Sequence, residues 1–317
     1  MRLLKTTGLI AALALSFGTA TAAPIEDPEG TVVDAFVVQA VEPGPAWWRV
    51  SDGDSIVYIL GAPESPMPPG VTWDKRTVER RLAGANGLLM GSSMTAGLRD
   101  LPALLKIRAQ LKSKTPLEPG LSPALRARFV AARTQLGQPA SKYAGWTPLV
   151  AGALIYGDSR DRKKGWSYTR AAVTQAAKKR KVKVTFSARY KAVPFARAAI
   201  AGLTPAIHQQ CLESALEDLE TSDARVRASA AGWARGDVAV ALTAPRNFDR
   251  CLLLLSGGAE LWRRQSRDDA AAIATALKKP GKAVAVIGLR RLLAEDGVLE
   301  QLRDKGFDVA GPGEALP

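Results

Sequence analysis

Two short apolar runs, Trp47–Ser51 and Ser55–Leu60, are joined through Asp52-Gly53-Asp54. Asp-Gly between such runs is a hairpin signal, because the glycine accepts the backbone angles a tight turn demands. A second pair of strand-like runs lies near the other end of the chain. Ala283–Ile287 is a continuous apolar segment of the kind buried on both faces, and Phe307-Asp308-Val309 is short and alternating. Strands need partners for their backbone groups, and these strands cluster at the two ends of the chain with helices between them. The expected architecture is mixed α/β: a central mixed sheet built from the two ends, with a largely helical middle over about 100–235.

The middle supports this division. Leu101–Leu111, Pro123–Leu136, Thr147–Tyr156 and Trp166–Lys179 read as helices separated by Pro and Gly. Pro205–Leu219 carries Ile207, Cys211, Leu212, Leu216 and Leu219 at helical spacing. Another helix runs toward Trp233, a short one starts at Gly236-Asp237, and Glu260–Leu277 and Asp296–Lys305 complete the set. Val182–Phe186 alternates and reads as a strand. Gly87–Met90 is a short buried-strand candidate. Thr72 is placed to cap a helix that carries Val78 and Leu82 on one face.

The first 22 residues read as an export signal. Arg2 and Lys5 precede the apolar run Leu9–Phe17, and Ala20-Thr21-Ala22 gives a small-x-small cleavage site. The run is shorter than the ~20 residues a membrane-spanning helix needs. No span is expected in the mature chain. Periplasmic or secreted localisation follows as an expectation. Residues 23–45, rich in Pro, Gly and acids, are expected to form a flexible lead-in, with Thr31–Val41 available as an edge strand. The remainder, 46–317, is expected to be one domain.

Hydrophobic residues make up 47% of the chain, enough for a substantial core, and the net charge is +14. Such an excess attracts anionic envelope polymers or lipid head groups and says nothing about chemistry. Arg160-Asp161-Arg162-Lys163-Lys164 and Lys178-Lys179-Arg180-Lys181 concentrate it near Trp166, Tyr168 and Tyr190. A solvated helix face is the simpler reading of both runs. Export argues against nucleic acid as a partner. The two cysteines, Cys211 and Cys251, are expected to pair in an oxidising compartment.

Several segments resemble the TraB/GumN family, relatives of the Tiki metalloproteases. Trp48–Ser55 resembles the family's opening hairpin. Gly61-Ala62-Pro63-Glu64 stands where its first Gly-x-x-His belongs, and Pro69–Trp73 with the Arg-rich helix after it is similar to the next segment. Val284–Leu292, followed by Asp296-Gly297-Val298, stands where the second Gly-x-x-His and its helix belong. The resemblance implies two related halves whose turns meet at one metal-dependent hydrolytic site.

At that site the residues differ from the family's pattern. The first histidine position reads Glu64 and the second reads Arg291. The glutamate expected after the third strand reads Gly91. The family's Arg-Asn pair falls near Gly258-Ala259, while Trp262 matches. Glu64 alone would be a tolerable ligand change. Gly91 removes a ligand or base, and Arg291 brings a permanent cation with no lone pair. The single histidine, His208, has no second imidazole beside it. No Gly-x-Ser-x-Gly, His-Glu-x-x-His or phosphate-binding loop is present, and Ser92-Ser93 lacks a recognisable base.

No metal or other cofactor is therefore expected, and no catalytic residue is assigned. The reading is a catalytically degenerate envelope protein that binds or scaffolds. The alternative is a divergent hydrolase using Glu64 with partners such as Asp100, Glu295 or Asp296. Glu64 and Arg291 are also positioned, through the resemblance, to form a bidentate pair where the metal would sit. A role for Arg291 in binding an anionic ligand stays open beside that.

Overall fold

A computed structural model describes residues 25–63, 65–161, 165–221 and 223–314. Its eight strands are β1 (Trp47–Ser51), β2 (Ser55–Ala62), β3 (Leu88–Met90), β4 (Ser93–Thr95), β5 (Val184–Phe186), β6 (Arg189–Lys191), β7 (Gly281–Gly288) and β8 (Asp308–Ala310). The helices among the described residues are α1 (Arg76–Leu82), α2 (Leu101–Gln110), α3 (Leu117–Gly120), α4 (Pro123–Gln135), α5 (Pro148–Ser159), α6 (Thr169–Lys179) and α7 (Ala192–Ala201). They continue with α8 (Pro205–Glu220), α9 (Asp223–Ala234), α10 (Val238–Ala241), α11 (Asn247–Leu252), α12 (Gly258–Leu277), α13 (Leu289–Leu293) and α14 (Val298–Asp304).

Six strands form one mixed sheet in the order β5-β3-β7-β2-β1-β8. The hairpin β1–β2 is antiparallel, and β7 inserts parallel beside β2 with Val57 opposite Ala283 and Leu60 opposite Val286. This is the expected meeting of the two ends. Ile59, Leu60, Val284, Val286 and Ile287 are all fully buried, which is why both runs are apolar without alternation. One edge departs from expectation. β5, from the helical middle, pairs parallel with β3 and supplies the outermost strand. β3 spans three residues and exposes backbone on its far side, so a strand of any origin can complete it. β4 and β6 form a separate parallel pair.

Helix starts follow local chemistry. Ser122 caps α4 through Leu125 N, Thr204 caps α8 through Ile207 N, and Asp237 caps α10 through Val240 N. Thr72 does not cap α1. The helix begins at Arg76, and Asp74 accepts the Arg76 N–H at 2.8 Å instead. The helical middle has its own core of Leu125, Phe129, Tyr143, Ile155, Leu212 and Leu216. Cys211 of α8 and Cys251 of α11 are disulfide-bonded with Cα atoms 5.3 Å apart, both fully buried beside Phe248.

The segment ahead of β1 packs against the domain rather than standing away from it. Val32 bridges Ala294, Gln39 bridges Asp237, and Phe36 is buried in the sheet core. In place of an edge strand it holds one 3-10 turn, Asp34–Phe36. Its composition suggested looseness because acids and prolines dominate it; its few apolar and charged side chains nevertheless find partners on distant elements.

Candidate functional site

Because β2 and β7 are adjacent and parallel, Gly61 lies opposite Ile287 and Ala62 opposite Gly288. Both strands thus release the chain at the same sheet end. The close approach explains a glycine at 61: a Cβ there would stand 2.6 Å from Leu289 Cδ1 and 3.0 Å from the Trp48 ring. The Gly61 carbonyl accepts a hydrogen bond from Trp233 Nε1 at 2.6 Å, and Trp233 meets Trp73 edge-on at 5.4 Å.

Gly288 turns β7 into the five-residue α13, which delivers Arg291 inward. Arg291 is 7% exposed. Its Nε lies 3.3 Å from Glu29 Oε1, its Nη1 lies 3.4 Å from Asp269 Oδ2, and its guanidinium stands 5.4 Å from the Trp262 ring. Asp269, on α12, is wholly buried. It accepts from Ser92 N at 3.1 Å and from Ser187 Oγ. Burial pushes its carboxyl above the ordinary range, while Arg291, Ser187 and Ser92 pull it the other way.

Gly91 follows β3 and donates its N–H to Val286 O at 3.0 Å. A Cβ at this glycine would sit 3.5 Å from Asp269 Oδ2 and 3.4 Å from Arg170 Nη1. The space beside Gly91, where the family resemblance expects a glutamate, therefore already holds a carboxylate, brought by α12 rather than by the β3 turn.

A second ring of charge surrounds Glu29, which is 3% exposed. Arg246 reaches Glu29 Oε2 at 3.8 Å and holds Asp27 at 2.6 and 3.1 Å. Arg290 donates to the backbone oxygens of Glu29 and Leu242. Burial, and then the neighbouring Arg246, lower the Arg290 pKa, although a guanidinium stays charged. A cavity of about 60 Å³ opens beside this ring, walled by Met67, Trp233, Leu242 and Leu289.

These residues do not suit a divalent cation. Arg291, where the family resemblance expects the second histidine, brings positive charge and occupies the acids it meets there. Gly91 offers no side-chain donor. Among the described residues no three His, Cys, Asp or Glu side chains gather as a metal site. Glu64 lies outside the described residues, and so does the pairing of Glu64 with Arg291.

The other sequence candidates fall elsewhere. His208 is partly buried on α8, and burial lowers its pKa. Asp100 accepts from Gly97 N in an exposed turn. Glu295 and Asp296 are exposed, and Asp296 shares the wall of a neighbouring groove with Arg291 and Trp262. Ser92 contributes its backbone N–H, and Ser93 begins β4. Lys178, Lys179, Arg180 and Lys181 are exposed at the end of α6, where the helix dipole favours cations. Arg162, Lys163 and Lys164 lie outside the described residues.

Sequence reasoning missed Glu29 and Asp269, and Arg160, read there as part of a solvated basic run, is buried at 8% exposure. Asp269 had a legible signal: it shares a helical stripe with Ile273 and Leu277 at i+4 and i+8, so an acid was heading into the core. Glu29 had none, because its burial depends on how the leading segment docks.

No helix among the described residues is long and apolar enough to cross a membrane. The model of a family described as the TraB/PrgY/gumN family matches residues 46–310. Comparison with curated proteins and comparison with solved structures each gave no match. The matched span takes in the hairpin, β7 and the turns that meet at the sheet end, and the chain belongs to the TraB/PrgY/gumN family.

Proposed function

We propose that this is an exported envelope protein of the family that has lost hydrolytic catalysis and acts by binding or as a scaffold at the sheet end. The observation that carries the reading is Arg291. Its buried guanidinium is balanced by Glu29 and Asp269 at the position where the family resemblance expects a histidine. A permanent cation there opposes a second one. Export is supported by the leader-like first 22 residues and by the Cys211–Cys251 bond, which persists best in an oxidising compartment. The adjacency of Gly61 to Ile287 supports a further pairing of Glu64 with Arg291, since both residues follow strand ends that lie side by side.

Elemental analysis of the purified protein tests the reading. The expected result is no stoichiometric zinc, manganese or iron and no thermal stabilisation by added zinc. One metal per chain would restore the divergent hydrolase built around Glu64.

A further inference from the structure

The cavity beside Trp233 is lined by Arg160 and Arg290, for which no ion pair at 4.0 Å or less is found among the described residues. Arg160, one of its lining residues, is 8% exposed. Its guanidinium lies over the Tyr156 ring at 3.8 Å, and Nη1 donates to Ser159 Oγ at 3.2 Å. Nε is buried with no hydrogen-bond partner. Among the described residues, neither Arg160 nor Arg290 has a carboxylate oxygen within 4.0 Å. Asp218 feels the field of Arg160, but its two oxygens accept Asn247 N and Phe248 N at 3.0 Å each. Asp249, also on the cavity wall, accepts the Tyr156 hydroxyl at 3.1 Å.

A guanidinium cannot relieve this by losing its proton, and a buried cation without a counter-ion is costly. An anion entering the cavity removes the cost. Its class follows from the remaining lining. Met67, Trp233, Leu242 and Leu289 offer hydrocarbon contact, so the anion carries an apolar group. Glu29 and Asp249 share the same wall and repel a dianion more than a monoanion. A planar carboxylate matches the guanidinium fork. The volume of about 60 Å³ exceeds the ~10–15 Å³ one water needs but takes only the end of a ligand.

We propose that this cavity binds a monocarboxylate joined to a short apolar group, with Arg160 as the partner of the carboxylate and Arg290 reinforcing the field. The site deepens the binding reading above and rests on it. The two fail separately, because metal content decides catalysis whereas carboxylate affinity decides this cavity.

The test uses the purified full chain with hexanoate, hexanol and inorganic phosphate in calorimetry and thermal melts. Hexanoate should bind saturably and raise the melting temperature, whereas hexanol and phosphate should not. Acetyl-Ala-Ala-Leu as free acid and as amide distinguishes a chain terminus from a free acid as the source of the carboxylate. Arg160→Gln should weaken carboxylate binding by about tenfold or more, as expected for loss of a charged hydrogen bond. If that variant does not fold, Arg160→Lys decides. It keeps the charge without the fork and should still lose about tenfold, while unchanged affinity overturns the site. Equal effects of hexanoate and hexanol overturn it too, as does the absence of saturable binding by both hexanoate and the peptide acid.

Discussion

Arg291 Nε stands 3.3 Å from Glu29 Oε1, across 262 residues of chain. The contact ties the segment ahead of β1 to the turn that follows β7. On the other side of the same guanidinium lies Asp269, wholly buried on α12. One arginine thus joins the leading segment, the sheet end and the long helix α12.

Arg291→Ala should therefore destabilise strongly, by about 3–5 kcal/mol, because it leaves Glu29 and Asp269 buried without that cation. Urea unfolding measures the loss. Arg291→Met combined with Asp269→Asn should cost less than the sum of the single changes, since each removes the same pair. Additive costs would mean that the two side chains do not interact.

Gly91 separates space from chemistry. Gly91→Ala places a Cβ in ordinary contact at 3.4–3.5 Å from Arg170 and Asp269 and should change stability by less than about 1 kcal/mol. Gly91→Glu sets a second carboxylate against buried Asp269 and should cost about 3 kcal/mol or more. A Gly91→Glu protein as stable as the wild type, and further stabilised by zinc, would contradict the charge-balance account of the site.

Two groups give pH dependences of opposite kinds. His208 has its pKa lowered by burial, so the folded state resists its protonation. Its contribution to stability is lost as pH falls from ~6.5 through the lower folded value. NMR of this single imidazole should show a midpoint below ~6.5, and His208→Asn should flatten stability over that window. Asp269 has its carboxyl raised, chiefly by burial. The stability linked to its protonation is fully present below the ordinary aspartate value and is lost as pH climbs from there through the raised folded value, so Asp269→Asn should gain on the wild type over that window.

The bond between Cys211 and Cys251 spans 40 residues. On the chain-entropy account, Cys211→Ala with Cys251→Ala should lower unfolding free energy by about 4 kcal/mol. Denaturation of the double variant under non-reducing conditions gives the value. A change below about 1 kcal/mol would show that α5, α8 and α11 hold this region without the bond.

Much of the fold was legible before any coordinates. The Asp52-Gly53-Asp54 hairpin, the apolar run Ala283–Ile287, the helices starting at Pro123 and Pro205 and the pairing of the cysteines all rest on chemistry within a few residues or on a small choice of partners. Thr72 failed as a cap because Asp74, two residues on, offers a carboxylate closer to the first helical N–H. The β4–β6 pair was missed because three-residue strands carry too little alternation to read.

The amino-acid order alone pointed to the class of fold and to the two strand ends that belong together, and through the family resemblance it set the expectation that Arg291 and Gly91 stand at site positions. It could do so because backbone pairing and periodic burial are written in neighbouring residues. Only the tertiary structure decided which acids answer Arg291. Glu29 and Asp269 come from opposite ends of the chain, and a buried charge selects its partner by distance and desolvation, quantities that exist only after the sheet, α12 and the leading segment have closed around it.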